Sequence, residues 1–302
     1  MAIILSKRAL EIDDQYAPAW AYLSAAYANM PPTEAMQFSK SMVMARTAIQ
    51  RALAIDPDNV IAISLNAVYS VSFDQDLATG VAGMRRALEL APGSLDALKP
   101  AAYFLIVLGR HEESLKVQEY IAVREPLSVP TWVNVVAAYY YAGRFEKVVS
   151  LVDENAAWFR NNELIQWFHA VSILYSGDAE RALGVADRQE VAIYRLGALA
   201  VVYYALGRQA EFETVFAELR DLFDTQPEAA IDVAFVYAYI GDVEQAFEWL
   251  DRALADGTLS IPANDISFAN LHDDPRWDVL MDKLGMSQTT LDAIEFEVTL
   301  PK

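Results

Sequence analysis

The sequence predicts an all-α fold, a right-handed α-solenoid built from consecutive helix hairpins, because three features recur at one spacing. Glycines followed by Arg or Asp lie 34, 34, 30 and 34 residues apart, at Gly109, Gly143, Gly177, Gly207 and Gly241. Small and aromatic residues keep these intervals. Three prolines, Pro57, Pro92 and Pro126, stand 35 and 34 residues apart. A fixed period in the thirties is typical of repeat architectures.

The first helix of each repeat is predicted from columns that move with the glycines. A small or β-branched residue recurs at Ala102, Val136, Ala170, Ala200 and Ala234. Larger residues stand mostly three positions after it and four before it, as Tyr139 and Trp132 do around Val136. Offsets of three and four share one helix face, so the small column lets neighbouring helices approach closely.

The turns and the second helix follow from glycine and proline chemistry. Glycine supplies the left-handed residue that closes a helix at its C-terminus, so each periodic glycine ends a first helix. Proline cannot continue a helix, so Pro57, Pro92 and Pro126 end second helices in the earlier repeats. The predicted unit is therefore helix, Gly turn, helix, Pro turn.

At these columns the sequence resembles the tetratricopeptide repeat (TPR). The first clear unit carries, in order, Trp20, Leu23, Ser24, Tyr27, Ala52 and Pro57. The resemblance covers about residues 1–255 and implies about seven TPR-like hairpins. Such arrays usually present binding surfaces, which implies a non-catalytic protein with no catalytic residues of its own.

Two departures from the pattern predict local distortions. The first full unit is nine residues too long, with the extra residues around 30–35. The unit over 163–192 is four residues short, which predicts a shortened second helix. Asn155 and Arg160 replace the expected Ala and Pro just before it, so we expect a kink or a subdomain division near 155–192.

The two ends complete the predicted organisation into an array over 1–255 and a C-terminal region over 256–302. Residues 2–12 read as the second helix of a half-repeat, either a simple cap or, as we favour, part of a longer protein cut inside a repeat. Asp274 and Pro275 begin a predicted capping helix that Gly285 closes. From Ile294 the tail alternates apolar and polar residues with strand periodicity.

A narrower resemblance comes from Pro31-Pro32, from the ending Asp274-Pro275-Arg276-Trp277-Asp278-Val279-Leu280 with Leu284-Gly285, and from the tail Ala293-Ile294-Glu295-Phe296-Glu297-Val298. These residues resemble the C-terminal TPR region of bacterial signalling proteins. In that family the repeats follow a class III adenylate cyclase domain, a winged-helix regulator or a protein kinase. The resemblance implies a regulatory, partner-binding module associated with one of these domains.

Composition excludes several classes of function. The net charge is −19 with no basic run, which opposes nucleic-acid binding. No apolar run approaches the roughly 18–20 residues that cross a bilayer, so we expect no membrane insertion. The absence of cysteine excludes disulfides and thiolate chemistry, and fits a cytoplasmic protein.

No sequence motif indicates a metal or cofactor site. The three histidines, His111, His169 and His272, have no second histidine at ligand spacing. The run His272-Asp273-Asp274 is explained as a helix start. No P-loop, dinucleotide fingerprint or nucleophile elbow occurs.

The candidate site is a concave groove lined by the first helices. Tyr and Trp give large contact area at low entropic cost, which favours binding of a protein or peptide segment. The alternative interpretation is that part of the set only packs between helices. The predicted groove residues are Lys99, Tyr103, Val133, Ala137, Tyr140, Tyr141, Trp167, Val171, Tyr175, Val201, Tyr204, Phe235 and Tyr239.

Three functional hypotheses stay open at this stage. A scaffold that binds a partner segment in the groove is the leading one. Self-association or autoinhibition is the second, with the tail in its own groove or in that of a second copy as a homodimer. An all-helical enzyme with a small-molecule site is the third, and the apolar lining disfavours it. Lys99 is the only suitably placed cation, so capture of a C-terminal carboxylate is not supported.

Overall fold

The computed structural model describes residues 1–28, 30 and 38–301, and among these no residue lies in a β-strand. The chain forms eighteen α-helices and one 3-10 helix in the described part. The α-helices are α1 Ala2–Ile12, α2 Ala17–Ala28, α3 Phe38–Ile55, α4 Val60–Asp74, α5 Leu77–Leu90, α6 Leu95–Val107, α7 His111–Arg124, α8 Val129–Tyr141, α9 Phe145–Glu154, α10 Ala156–Phe159, α11 Glu163–Tyr175, α12 Ala179–Ala186, α13 Ala192–Ala205, α14 Gln209–Leu222, α15 Ala229–Ile240, α16 Val243–Ala255, α17 Pro275–Lys283 and α18 Gln288–Ala293. The 3-10 helix spans Ile266–Leu271. No helix of the described residues is long and apolar enough to cross a membrane.

The predicted turns are confirmed. All five periodic glycines adopt the left-handed conformation, with φ between 67° and 92°. After each of them the next residue donates its N–H to the carbonyl five residues back, as Arg110 does to Leu105 at 2.7 Å. Pro57, Pro92 and Pro126 each lie two residues beyond the ends of α3, α5 and α7.

One further turn extends the glycine period without a glycine. Gln75, which lies 34 residues before Gly109, closes α4 with φ 54° and is the one non-glycine residue with positive φ in the described part of the chain. The N–H of Asp76 donates to the carbonyl of Ser70 at 2.9 Å, which lies six residues back, one more than in the glycine turns. The left-handed residue therefore keeps the period at a position where the sequence has no glycine.

The chain folds into two compact units, which we describe separately. The first contains Met1–Phe104 together with Asp292–Lys302, and the second contains Leu105–Leu291. The predicted division into 1–255 and 256–302, and the predicted kink near 155–192, stay predictions. Except for Met30, the residues of the predicted insertion around 30–35 lie outside the described part of the chain.

In the first unit, α2 packs on α3 and α4 on α5 as hairpins, and α2 also packs on α4. Ser24 of the small column donates to the carbonyl of Ala45 at 2.7 Å, and its hydroxyl lies 3.0 Å from that of Tyr69. The small side chain thus brings α2 close to both neighbours. Leu23, Tyr27 and Ile49 are buried around it.

The tail also packs in the first unit. Phe296 is 1% exposed, and its ring centroid lies 5.9 Å from that of Phe104. Residues 294–301 form neither helix nor strand. The alternation in the sequence instead distinguishes an inner and an outer side of the tail. The inner side chains are buried or half-buried and belong to Ile294, Phe296, Val298 and Leu300. The outer side chains are exposed and belong to Glu295, Glu297 and Thr299.

In the second unit the first helices of successive hairpins, α8, α11, α13 and α15, pack side by side. The second helices α9, α12, α14 and α16 each pack on the first helix of their own hairpin. The small column is fully buried here, at Val136, Ala170, Ala200 and Ala234. Close packing at these positions places the larger residues of the first helices in one continuous row.

The shortened second helix predicted for the unit over 163–192 is confirmed. Helix α12 has 8 residues, whereas its counterparts α7 and α14 have 14 each. Just before this unit, α9 ends at Glu154 and a separate single turn, α10, follows. Asn155 occupies the break, and its side-chain Nδ2 donates to the carbonyl of Leu151 at 2.9 Å.

The predicted capping helix is present as α17. Asp274 accepts a hydrogen bond from the N–H of Arg276 at 2.9 Å, with Pro275 at the first helical position. Gly285 follows the helix with φ 69°. Between α16 and α17 the chain runs without α-helix through Leu259–Leu271, which includes the 3-10 helix.

Candidate functional site

The first helices of the second unit bring eight rings into one cluster, here called the aromatic face. It consists of Tyr140 and Tyr141 on α8, Trp167, Phe168 and Tyr175 on α11, Tyr204 on α13, and Phe235 and Tyr239 on α15. Ring centroids are 5.0 Å apart for Tyr140 and Phe168, 5.7 Å for Trp167 and Phe235, and 6.3 Å for Tyr204 and Tyr239. These spacings are typical of aromatic pairs in contact.

The thirteen predicted groove residues differ in exposure. Tyr140 and Phe235 are the buried rings of the aromatic face, and Val171 and Val201 are buried beneath it. Val133, Ala137, Tyr141, Trp167, Tyr175 and Tyr239 are half-buried. Tyr204 is 42% exposed. Lys99 and Tyr103 are half-buried and belong to the first unit, where the Tyr103 hydroxyl lies 2.9 Å from that of Ser72.

Sequence analysis did not identify Phe168, which joins the aromatic face from below. It is 4% exposed and contacts the rings of Tyr140, Tyr141 and Trp167. Its position directly after Trp167, on a helix whose other aromatic residues were selected, was the available signal.

Part of the aromatic face is covered by the chain itself. The covering segment, Leu259–Leu271, crosses the first helices of the second unit. The Ser267 hydroxyl lies 3.0 Å from that of Tyr140, and the N–H of Ala263 donates to the carbonyl of Val107 at 3.2 Å. Asn270 donates its side-chain Nδ2 to the carbonyl of Ala238. The segment has neither helical nor strand periodicity, so the sequence pattern gave no sign of its position.

Hydrophobic burial and one buried charge define the contact between the covering segment and the face. Phe268 and Leu271 are almost completely buried. Asp265 is 4% exposed and accepts a hydrogen bond from the N–H of Ser267 at 2.9 Å. Burial raises the pKa of Asp265 to about 6 although this bond acts in the opposite direction. Burial also raises the pKa of Tyr140 well above its ordinary value.

One polar atom within the aromatic face lacks a partner. The indole Nε1 of Trp167 is inaccessible to solvent and donates to no acceptor in the described part of the chain. Buried indole N–H groups usually find an acceptor, so this unsatisfied donor costs stability in the aromatic face.

A second candidate region, here called the polar cavity, lies between α9, α11 and α12. Its volume is about 950 Å³. It is lined by Val152, Asp153, Ala156, Arg160, Asn161, Glu163, Gln166, His169, Glu180, Arg181, Gly184, Val185, Arg188, Gln189 and Glu190. Three arginines and four carboxylates, together with neutral amides and one imidazole, make it far more polar than the aromatic face.

Several of these side chains have internal partners. Arg181 contacts both carboxylate oxygens of Asp153. Glu163 accepts hydrogen bonds from the N–H groups of Glu190 at 3.0 Å and Val191 at 3.2 Å. Gln166 donates to the carbonyl of Phe159 at 3.3 Å. These contacts hold the walls of the polar cavity in place.

The histidines lie in three different surroundings. Within residues 1–28, 30 and 38–301, no three His, Asp or Glu side chains converge as metal ligands do. His111 stacks on Tyr141, and the ring of His272 contacts that of Trp277 in a tilted arrangement with centroids 4.6 Å apart. His169 lines the polar cavity, and burial lowers its pKa, which keeps the ring neutral at pH 7.

Comparison with known proteins finds likeness in fold. No model of a protein family matches the sequence, and no curated protein matches it significantly. Yeast Tom70 superposes with a TM-score of 0.50 at 15% identity, over 96% of this chain and 60% of that one. The human IFIT1 dimer with PPP-AAAA gives 0.50 at 14%, over 85% and 68%.

Naa15/Naa10 bound to HypK-THB gives a TM-score of 0.36 at 14% identity, over 95% of this chain and 40% of that one. The present chain thus spans 40% to 68% of the length of these three neighbours. At such identities the likeness concerns the fold alone. Tom70 and IFIT1 are TPR-type helical repeat proteins, and together with the all-helical hairpins described above they show that this chain is a TPR-like α-helical repeat array.

Proposed function

We propose that this protein is a non-catalytic scaffold whose aromatic face binds a segment of a partner protein. The observation that carries the proposal is the row of rings that crosses four successive first helices and stays partly open. Tyr204 is 42% exposed, and Tyr141, Trp167, Tyr175 and Tyr239 are half-buried. Aromatic side chains of this kind give large contact area at low entropic cost.

The covering segment supports this reading because it is itself an irregular stretch bound on the same helices. It is held by buried apolar side chains and by a few hydrogen bonds to backbone carbonyls and hydroxyls, such as Ala263 to Val107 and Ser267 to Tyr140. A partner segment that binds beside the covering segment contacts the same kinds of groups, namely apolar side chains, backbone carbonyls and hydroxyls.

A nucleic-acid ligand is disfavoured. The IFIT1 structure contains PPP-AAAA, but the present chain carries a net charge of −19. Electrostatic repulsion of phosphates opposes such binding. We propose a cytoplasmic bacterial signalling protein as the setting, supported by the ending Asp274–Leu280 that resembles the signalling family.

A selection from a random peptide library on the full chain tests the proposal. Peptides obtained in this way are expected to bind Trp167→Ala and Tyr141→Ala at least about tenfold more weakly than the unchanged chain. Trp158→Ala is the matched control, since Trp158 is 38% exposed in the same unit but outside the aromatic face. Trp167→Phe keeps one aromatic ring but removes the Nε1 donor together with the five-membered ring of the indole. Selected peptides that bind all four variants equally well would show that the aromatic face is not the site.

The alternative function, autoinhibition or self-association through the tail, is favoured by a different observation. Phe296 is 1% exposed in the first unit, and the tail places its apolar side inward. A chain that ends at Leu291 is then expected to bind a synthetic peptide of residues 292–302 in trans, and a Phe296→Ala peptide more weakly. Light scattering of the full and shortened chains separates intramolecular binding from dimer formation, and no binding of either peptide would exclude this function.

A further inference from the structure

The polar cavity lies where the second helix of one repeat is shorter than that of other repeats. Helix α12 has 8 residues where α7 and α14 have 14. At 1.5 Å per residue the missing residues correspond to about 9 Å of helix. The space that they would fill is bounded by α9, α10 and α11 and contains about 950 Å³. This volume falls in the range of pockets that hold small molecules.

The inner wall of the polar cavity carries buried groups without partners. Gln189 is 4% exposed, and neither its Oε1 nor its Nε2 forms a hydrogen bond in the described part of the chain. His169 is 6% exposed, and its Nδ1 has no partner there either. Its Nε2 lies 3.2 Å from Asp153 Oδ1 but not in hydrogen-bonding geometry. A buried carboxamide without partners is costly and rare, so it indicates a ligand that supplies them.

The rim of the polar cavity carries charges of both signs. Arg181 is paired with Asp153, and Glu163 is engaged by two backbone N–H groups. Arg160 and Arg188 remain on the cationic side, and Glu180 and Glu190 on the anionic side. All four are exposed and form no salt bridge in the described part of the chain. The rim thus matches a ligand that carries one charge of each sign better than a simple anion or cation.

We propose that the polar cavity binds a small zwitterion that contains an amide, such as glutamine or a dipeptide. Arg160 and Arg188 receive its carboxylate, and Glu180 and Glu190 receive its ammonium group. The amide pairs with the carboxamide of Gln189, which offers one donor edge and one acceptor edge. The neutral ring of His169 supplies a further hydrogen bond. This site is separate from the aromatic face and does not depend on the function proposed for it.

Gly184 offers a way to block the polar cavity without changing any of these polar groups. It lines the cavity from α12, and a Cβ atom at this position would meet no other atom within 4 Å. Gly184→Leu therefore places a branched side chain in the open space. Gly184→Ala adds one methyl group and is the matched control.

Calorimetric titration of the full chain with four probes tests the proposal. L-glutamine and glycylglycine carry both charges and an amide. L-norleucine lacks the amide and glutaramate lacks the ammonium group. We expect saturable binding of the first two, and binding at least about tenfold weaker for the other two.

Variants then locate the site. Gln189→Met and Gly184→Leu are expected to weaken the binding of glutamine by at least about tenfold. Gln189→Met also raises the urea midpoint of the free chain, because it removes two unsatisfied groups. Gly184→Ala, and Gln50→Met at an exposed position of another helix, are expected to bind within about twofold of the unchanged chain.

Three results would overturn the proposal. One is the absence of saturable binding of both glutamine and glycylglycine up to the order of 10 mM. Another is equal binding of glutaramate or of inorganic phosphate, which would make the polar cavity an anion site. The third is glutamine binding that neither Gln189→Met nor Gly184→Leu changes, because the ligand would then sit elsewhere.

Discussion

Helix α11 has two sides with opposite chemistry. Trp167, Phe168 and Tyr175 contribute to the aromatic face, whereas Gln166 and His169 line the polar cavity. Rings on the first side are packed against each other and against the covering segment. On the second side buried polar groups lack partners, since Gln189 forms no side-chain hydrogen bond in the described part of the chain. The comparison separates a surface of packed rings, which also stabilise the fold, from a cavity in which unsatisfied polar groups dominate and cost stability, as in many binding sites.

The sharpest test of this contrast removes one side chain from each region. Tyr140→Ala is expected to lower the free energy of unfolding by about 3–5 kcal/mol, because it deletes a fully buried ring of the aromatic face. Gln189→Met is expected to raise it by about 1 kcal/mol, because an unsatisfied carboxamide is replaced by an apolar chain of similar length. Urea unfolding measures both. Changes of the same sign and size would remove the distinction between the two regions.

The second prediction concerns the charge buried beneath the covering segment. The pKa of Asp265 is about 6 in the folded chain against an ordinary 3.8, so the unfolded chain releases this proton first as the pH rises. The free energy of unfolding contributed by Asp265 therefore falls as the pH rises from about 4 to about 6, and it stays constant at higher pH. At 1.36 kcal/mol per unit, Asp265→Asn is expected to be more stable by about 2–3 kcal/mol near pH 7.5.

The stability difference between Asp265→Asn and the unchanged chain isolates this residue from all other titrating groups. It should shrink as the pH falls from about 6 to about 4. Asn is also a good capping residue, so the bond to the N–H of Ser267 is retained. A difference that is independent of pH would show that Asp265 does not carry a buried charge.

A third prediction compares two glycines with open surroundings. No atom would lie within 4 Å of a Cβ at Gly143, in the turn beside the aromatic face, or at Gly184, in the polar cavity. They differ in backbone conformation, because Gly143 has φ 67° whereas Gly184 is inside α12. Gly184→Ala is expected to stabilise by about 0.5–1 kcal/mol through helix propensity. Gly143→Ala is expected to destabilise by about 1 kcal/mol through left-handed strain. Equal effects in thermal unfolding would contradict the backbone argument.

The last prediction has the smallest expected effect. It concerns whether a partner can bind while the covering segment stays on the aromatic face. A Cβ at position 109 would lie 3.5 Å from Asn264 Cβ, within the range of disulfides, and the chain has no native cysteine. In the double variant Gly109→Cys, Asn264→Cys, the oxidised chain holds the segment in place and the reduced chain does not. Because the partner is proposed to bind beside the segment, both forms should bind a selected peptide within about twofold. A loss of about tenfold on oxidation would mean that the partner displaces the segment.

The repeat layout was predictable because local rules determine it. Glycine favours the left-handed turn, proline ends helices, and offsets of three and four residues give one buried face, so the hairpins and the shortened α12 could be expected from sequence. Gln75 adopts the same left-handed conformation without glycine, between the two helices of the α4–α5 hairpin. Tertiary context decided this position where local propensity gave no signal.

The candidate sites were less accessible to sequence reasoning. The predicted groove contains Tyr140, Val171, Val201 and Phe235, which the structure buries, and burial depends on neighbours that are distant in sequence. The covering segment has no periodicity, so its place on the aromatic face could not be read from its residues. Gln189 and His169 are ordinary polar residues in the sequence. Their unsatisfied state appears only when the short helix leaves a cavity around them.

The affinity of a library-selected peptide for Trp167→Ala and for Trp158→Ala tests the central claim most directly. Both variants delete one tryptophan from the second unit, but only Trp167 belongs to the aromatic face. We predict that Trp167→Ala weakens binding by at least about tenfold and that Trp158→Ala changes it by less than about twofold. Equal affinities for the two variants, with both folded by circular dichroism, would contradict the assignment of the aromatic face as the partner-binding surface.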